Sequence, residues 1–356
     1  MASIGQTGRG MKMAFAKFGT NSWGVAASVT KGVYFESDGG QQYQPGMVQD
    51  PAFNQAFLGE ATPGLVESPS VSYAGKLRYD DHQYILEALA MGSPTAVAIS
   101  DSTSGQTTSW SHQFDLATDI DGLGVTTAID KVQYVEEMTS AKIIGFVVTQ
   151  EDNGAMNQTF QVMGSKITNI SSVNVAATTT GADYPTLTTR VVQQQGVFRM
   201  NLDSDGALAA SDAIKAESIT LTYERPQDGP HIYGQDYITE PADQGYPTVT
   251  IEVVNPRMNT VSANSAFAAI RSGVAFKADW TFTGAFINST DNYTMLYQFP
   301  NLQFMSDGFL ASAEQANQVK PTWKLMGNLA PTSPTGMAFI NPMRLTRTMT
   351  QSVVAF

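Results

Sequence analysis

The chain contains no cysteine, which excludes a disulfide framework, thiolate zinc and iron–sulfur centres and a cysteine nucleophile, and leaves the redox compartment open. Histidine is scarce, at three residues in 356, so an imidazole-rich metal site has little to draw on. Charged residues make up only 15% of the chain, against roughly 25% in ordinary soluble domains. Ser, Thr, Asn, Gln and Gly take their place, a mix that disfavours long solvated helices and favours sheets and turns. No apolar run approaches the ~20 residues of a membrane helix. The opening MASIGQTGRGMKMAFAKFGT carries basic groups but lacks the apolar stretch of a secretory signal. The expectation is a mainly β protein, made soluble in the cytoplasm, with no membrane partner.

What is present is 42% hydrophobic residues over 356 positions, enough for one large or two mid-sized cores. Net charge is −12 and unevenly laid out. Residues 1–31 hold Arg9, Lys12, Lys17 and Lys31 with no acid, and residues 315–356 hold Lys320, Lys324, Arg344 and Arg347 with no acid, so every acidic residue lies between. Basic ends on an acidic body suit arms that reach a neighbouring copy's acidic surface, or ordinary tails. The acidic body argues against direct nucleic-acid binding, which needs clustered Lys and Arg.

Alternation with period two marks strands with one buried face. It places Val71, Tyr73, Leu77 and Tyr79 inward over 70–79, with Lys76 and Arg78 facing away. It does the same for Trp110, His112, Phe114 and Leu116, then for Phe198–Leu202, Ile219–Tyr223 and Val249–Val253. The longest run is Val274, Phe276, Ala278, Trp280 and Phe282, facing away from Lys277, Asp279 and Thr281. Two stretches read as helices. One runs near 81–91, with Asp80 as N-cap, Gln83 completing a capping box and Gly92 as terminator. The other spans 262–272, closed by Gly273.

Each helix follows a strand and precedes a Trp-bearing strand, at separations near half the chain length. A tandem duplication accounts for this; the alternative is two β domains that independently acquired a helix and a Trp strand. The Thr-rich, nearly uncharged stretch 171–190 reads as linker or long loop, with a boundary near 181–195. Residues 39–67 and 224–246 read as long loops, of a length that is usually functional or ordered against a partner.

Residues that could carry chemistry are few. His82 falls in the first helical turn, His112 on an apolar strand face and His231 in a Pro-rich loop, and no HExxH, GxSxG, P-loop or strand-linked GxGxxG occurs. The string Asn201-Leu-Asp203-Ser-Asp205-Gly206 with Asp212 resembles a calcium loop, yet its flanks read as strand and Asp reaches less far than Glu, so an acidic turn is expected. Asp119-Ile-Asp121-Gly122 reads the same way. The pairs Asp80/Asp81, Glu136/Glu137 and Glu151/Asp152 read as solvated surface rather than a glycosidase dyad. Asn157, Asn169, Asn288 and Asn292 head Asn-X-Ser/Thr triplets and mark polar surface. The expectation is no catalytic, metal or cofactor residue and no enzyme activity. Trp23, Trp110, Trp280 and Trp323 leave open a carbohydrate-binding β-sandwich, although Trp110 and Trp280 lie on core-like faces.

The opening Gly19-Thr20…Gly24, the segment Glu67–Asp81, the helix Tyr84–Gly92 and the late strand Tyr297-Gln-Phe-Pro-Asn-Leu-Gln-Phe304 together resemble the major tail, or tail tube, proteins of long-tailed bacteriophages. The resemblance implies β-sandwich or barrel domains with one packed helix, whose strands join those of neighbours into a continuous tube. It implies a virion tail location, the tape measure protein, the tail terminator and distal tail proteins as partners, and double-stranded DNA passing through the lumen without specific binding. With the duplication, it implies a trimeric ring of pseudo-sixfold symmetry rather than a hexamer. The corresponding division is a basic arm at 1–31, tail-tube-like β domains at 32–185 and 186–340, and a C-terminal arm at 341–356. Another tail or head-completion ring protein is the alternative within the same setting.

Overall fold

A computed structural model describes residues 11–18, 23–37, 40–41, 47–48, 62–63, 69–92, 97–100, 109–150, 154–185, 190–254, 273–306 and 322–351. In chain order the first elements are β1 (Lys12–Lys17), β2 (Lys31–Val33), β3 (Met47–Val48), β4 (Thr62–Pro63), β5 (Ser70–Lys76) and α1 (Gln83–Met91). Next come β6 (Val97–Ser100), β7 (Trp110–Asp115), β8 (Val125–Asp130), β9 (Val135–Gln150), β10 (Met156–Gly164), β11 (Ile167–Thr168) and α2 (Ala176–Gly181). The second part of the chain gives β12 (Gly196–Leu202), β13 (Ala213–Ile214), β14 (Ser218–Glu224), β15 (Gln227–Asp228), β16 (Ala242–Asp243) and β17 (Thr248–Val254). It ends with β18 (Phe276–Phe286), β19 (Asn292–Ser306), β20 (Thr322–Gly327) and β21 (Arg344–Met349). The fold is mainly β, and 17 of the strands join one antiparallel sheet.

In the first half β1 lies between β2 and β8, β8 pairs with the start of β9, and the later part of β9 pairs with β10, which pairs with β5. In the second half β12 lies between β13 and β18, β18 pairs with β19, β19 with β20, and β20 with β17. The registers coincide as well as the order. Met13 opposite Ile129 corresponds to Phe198 opposite Trp280. Thr127 opposite Met138 and Asp130 opposite Val135 correspond to Ala278 opposite Phe299 and Thr281 opposite Leu296. The register shifts between Val125 and Thr127 in one half and between Phe276 and Ala278 in the other. A second irregularity coincides too: it follows the pair Ile143–Val162 in β9–β10 and the pair Phe304–Leu325 in β19–β20. Bulges re-aim a strand, so sharing two of them at matching places fixes the same bend in both halves.

The halves pack together. β14 pairs with β9, β21 pairs with β7, and one core cluster draws on Phe146 and Phe160 from the first half and Tyr223, Ile251 and Leu345 from the second. The alternation in β12, β14 and β17 is as expected, with Phe198, Met200, Leu221, Tyr223, Val249, Ile251 and Val253 inside. α1 is buried along its whole length, Glu87 included, and ends at Gly92 in the left-handed region (φ 76°), whose N–H meets the carbonyls of Ala88 and Leu89.

Several expectations are corrected. The helix starts at Gln83 with His82 at the N-cap and no side-chain cap, so the Asp80 capping box does not form; Asp80 instead accepts a hydrogen bond from Thr350. The 70–79 strand stops at Lys76, and Lys76 and Arg78 are buried rather than solvated, because Lys76 meets Asn157 and Glu36. Val274 is exposed, while Lys277 and Asp279 are buried against partners from distant sequence. Trp110 does not lie on the counterpart of the Trp280 strand: by pairing, β8 matches β18, and β7 lies between β6 and β21. Part of the 171–190 stretch is the short helix α2. Neither arm is free over its described part, since β1 packs Met13, Ala14 and Phe15 into the interior and β21 lies between β19 and β7. The helix expected at 262–272 and most of the 39–67 loop lie outside the described residues.

Phe146 carries the join, with its ring centroid 6.2 Å from Phe160 and 5.3 Å from Tyr223. Phe146→Ala is expected to cost about 3–5 kcal/mol, measured as a lower urea midpoint at unchanged slope.

Candidate functional site

The chemistry-bearing residues gather along the seam between the halves. Arg347 on β21 reaches under α1, where its Nη2 lies 2.6 Å from Glu87 Oε1, both side chains fully buried. Gln158 of β10 donates to the same Glu87 oxygen, and Arg347 Nη1 donates to the Arg78 carbonyl at 3.2 Å. Burial raises the Glu87 carboxyl above its ordinary range, and the Arg347 charge and Gln158 amide oppose that rise. A second arginine on the same strand, Arg344, grips Asp115 with Nε at 2.5 Å and Nη2 at 2.8 Å, the bidentate fork that suits a carboxylate. Two of the basic residues expected to act on a neighbouring copy are therefore held inside this chain.

The seam continues on the other side. Arg225, fully buried, donates to Tyr223 Oη (3.0 Å), Asp243 (3.0 Å) and the Ala117 carbonyl (2.6 Å), and Tyr223 Oη donates to the Ala90 carbonyl closing α1 (2.9 Å). Lys142 Nζ lies 2.5 Å from the Pro241 carbonyl, 3.1 Å from Glu240 and 3.4 Å from Asp121. The 224–246 segment is thus tied to the first half, and Trp23 Nε1 adds a bond to the Ile238 carbonyl at 2.8 Å.

The sequence candidates fall as follows. His82 is buried and donates from Nδ1 to the Gly32 carbonyl at 2.9 Å; His112 is buried and donates from Nε2 to the Gln351 carbonyl at 2.8 Å. Burial lowers both imidazole pKa values, so both are neutral structural groups. His231 is exposed in its loop. The calcium-like string is a turn closed by a lysine: Lys277 Nζ donates to the carbonyls of Asp205 (2.7 Å) and Asp203 (3.3 Å), while Asp212 accepts from Ala209 N–H and Asn201. An ammonium stands where a cation would. Gly122 N–H of the second acidic turn donates to Glu240 at 2.8 Å.

Two acidic pairs expected on the surface are buried. Glu136 meets Lys131 at 2.5 Å, and Glu137 accepts from Asn174 (2.7 Å) and Ser171 (2.5 Å). Asp80 and Asp81 are both buried, Asp80 accepting from Thr350 just past β21, and burial pushes Asp81 up to about 7 against the pull of Arg78 and the His82 and Gln83 backbone N–H groups. Glu151/Asp152 lie outside the described residues. Trp280 and Trp323 are buried, whereas Trp23 and Trp110 are half-buried. Asn157 accepts from Lys76, and Asn288 caps a turn at Asp291. Among the described residues, no group of three or more His, Cys, Asp or Glu side chains could hold a metal ion. The titratable cluster at the seam is a buried polar lock in which each guanidinium meets a carboxylate or carbonyl of the other half.

Open space lies at the sheet margins. A groove of about 360 Å³ is lined by Gly196, Val197 and Phe198, by Ile214, Lys215 and Ala216, and by Trp280. Another of about 250 Å³ is lined by Met11, Lys12 and Met13, by Val33, Tyr34 and Phe35, and by Ile129. In the shared register these are the same places in the two halves. No protein-family model matches the chain, and a search of curated proteins returns no match.

Arg347→Met is expected to cost about 3–5 kcal/mol by leaving Glu87 buried without its partner, and Glu87→Gln added to it to restore much of that loss; urea unfolding of the cycle measures both. Asp81 binds its proton more tightly folded than unfolded, so its contribution weakens the fold as pH climbs from about 4 to about 7. Asp81→Asn should therefore match the parent near pH 4 and exceed it above pH 7, by on the order of 2–4 kcal/mol.

Proposed function

We propose that this chain is a structural, self-assembling tail tube subunit of a long-tailed bacteriophage, with two tail-tube-like β domains arisen by tandem duplication. The carrying observation is the doubled strand register with both irregularities in place. Independent acquisition of similar pieces does not account for matching bulges as simply as duplication does. Two equivalent units in one chain favour a ring of three chains with pseudo-sixfold symmetry.

Other features support the reading. The ionisable groups concentrated at the seam serve packing, and the exposed large apolar side chains include Tyr233 between β15 and β16 and Tyr246 between β16 and β17, side chains suited to contact with further copies. The acidic balance suits a lumen that passes DNA without retaining it, because like charge keeps phosphate from binding. The tape measure, terminator and distal tail proteins are the partners this role requires, and the virion tail is the location. The protein acts without catalysis, metal or cofactor.

Electron microscopy of the purified protein, with the mass of single rings, tests this. Hollow rings of three chains are expected. A strictly monomeric particle at high concentration overturns the assembly role, and a ring of six chains overturns the two-domain reading.

A further inference from the structure

Lys76, Asn157 and Glu36 meet at the end of β5 in an arrangement with chemistry of its own. Lys76 stands directly opposite Asn157 in the antiparallel pair of β5 and β10, so the two side chains leave the sheet on the same face. Lys76 Nζ lies 3.1 Å from Asn157 Oδ1 and 3.3 Å from Glu36 Oε2. The lysine side chain is 8% exposed and the glutamate 52%, so a nearly dry amine has one wet flank.

The backbone holds all three in place. Leu77 N–H bonds the Met156 carbonyl at 2.9 Å, Gln83 donates to the Lys76 carbonyl at 3.3 Å, and Glu36 N–H bonds the Ala74 carbonyl at 2.8 Å. A fixed approach of this kind turns a very slow reaction between an amine and a primary amide into an intramolecular one. Other buried lysines are placed differently. Lys142 and Lys277 face carboxylates or main-chain carbonyls. An ionised carboxylate resists an amine, and attack on a main-chain carbonyl would cut the chain.

We propose that Lys76 and Asn157 join in an isopeptide bond, a covalent tie between β5 and β10 that the folded chain makes on itself. Glu36 takes a proton from the Lys76 ammonium, and the freed lone pair forms the new N–C bond at Asn157 Cγ while the carbonyl electrons move onto Oδ1. Glu36 passes its proton to Nδ2 and takes a second from the attacking nitrogen. The carbonyl re-forms, the Cγ–Nδ2 bond breaks, and the departing ammonia carries off the last proton as ammonium. In total an ammonium side chain and a primary amide become a substituted amide and an ammonium ion. Glu36 ends as the carboxylate it began, and no oxidant or reductant enters. The wet flank at Glu36 lets the ammonium leave. The event happens once per chain, so it is a maturation step rather than turnover, and it does not depend on ring formation.

The intact mass of the folded full-length protein, with its peptides mapped by tandem mass spectrometry, tests this. The parent should weigh one ammonia less than its sequence, and a branched peptide should join Lys76 to Asn157. Glu36→Gln and Lys76→Arg should keep the sequence mass and give no branched peptide, with the sheet retained by circular dichroism. On denaturing gels the parent should run ahead of both, because its chain is closed into a loop between residues 76 and 157. A parent of full sequence mass after prolonged incubation in the folded state overturns the bond, whether or not the variants fold. Loss of ammonia with linear peptides only marks a succinimide at an asparagine and overturns it as well. A branched peptide that persists in Glu36→Gln overturns the part given to Glu36.

Discussion

A long strand must satisfy backbone donors and acceptors along two edges, and this constraint governs the molecule. β9 runs for 16 residues while its hairpin partner β8 has six. Past Ala141 that edge takes no first-half strand among the described residues, and the second half covers it with β14. The two halves share a sheet because neither can finish its own hydrogen bonding. Once β14 is in place, Phe146 meets Tyr223, the tyrosine hydroxyl reaches the end of α1, and Arg225 finds its partners on both sides of the boundary.

Charge follows from that geometry. In a chain with few charged residues, several of the basic ones are placed inside, each facing carboxylates or carbonyls from far along the sequence: Arg347 with Glu87, Lys142 with Glu240 and Pro241, Lys277 with the turn at Asp203–Asp205. A buried ion pair adds little net stability over an apolar pair of similar shape, but removing one partner is costly. The two that cross between the halves, at Arg347 and Lys142, would leave a buried charge unpaired in a shifted docking.

Much of the fold was legible in the sequence wherever one face of a strand is buried and the other wet. The alternation in β12, β14 and β17 named their inward residues, and Gly92 marked the end of α1. The reading weakened where both faces are covered. β8 is buried at all six positions, so Thr126, Thr127 and Asp130 gave no alternating signal. Lys277, Asp279 and Arg347 were assigned to solvent because partners lying tens or hundreds of residues away are invisible to a local pattern. The matching strand registers left no trace in the sequence: Trp110 drew attention to β7, whereas the residue that holds the register position of Trp280 is Ile129. The grooves left no mark at all, since Ile129 and Trp280 line them with different side chains on a shared backbone.

The position of β21 orders events during synthesis. Residues 344–349 follow every other described strand in the chain, yet they lie between β7 and β19 and supply the guanidinium beneath α1. Until they have cleared the ribosome, Glu87 has no countercharge and two neighbouring strands lack their shared partner. The packing beneath α1 and between β7 and β19 is therefore complete only once this strand has emerged.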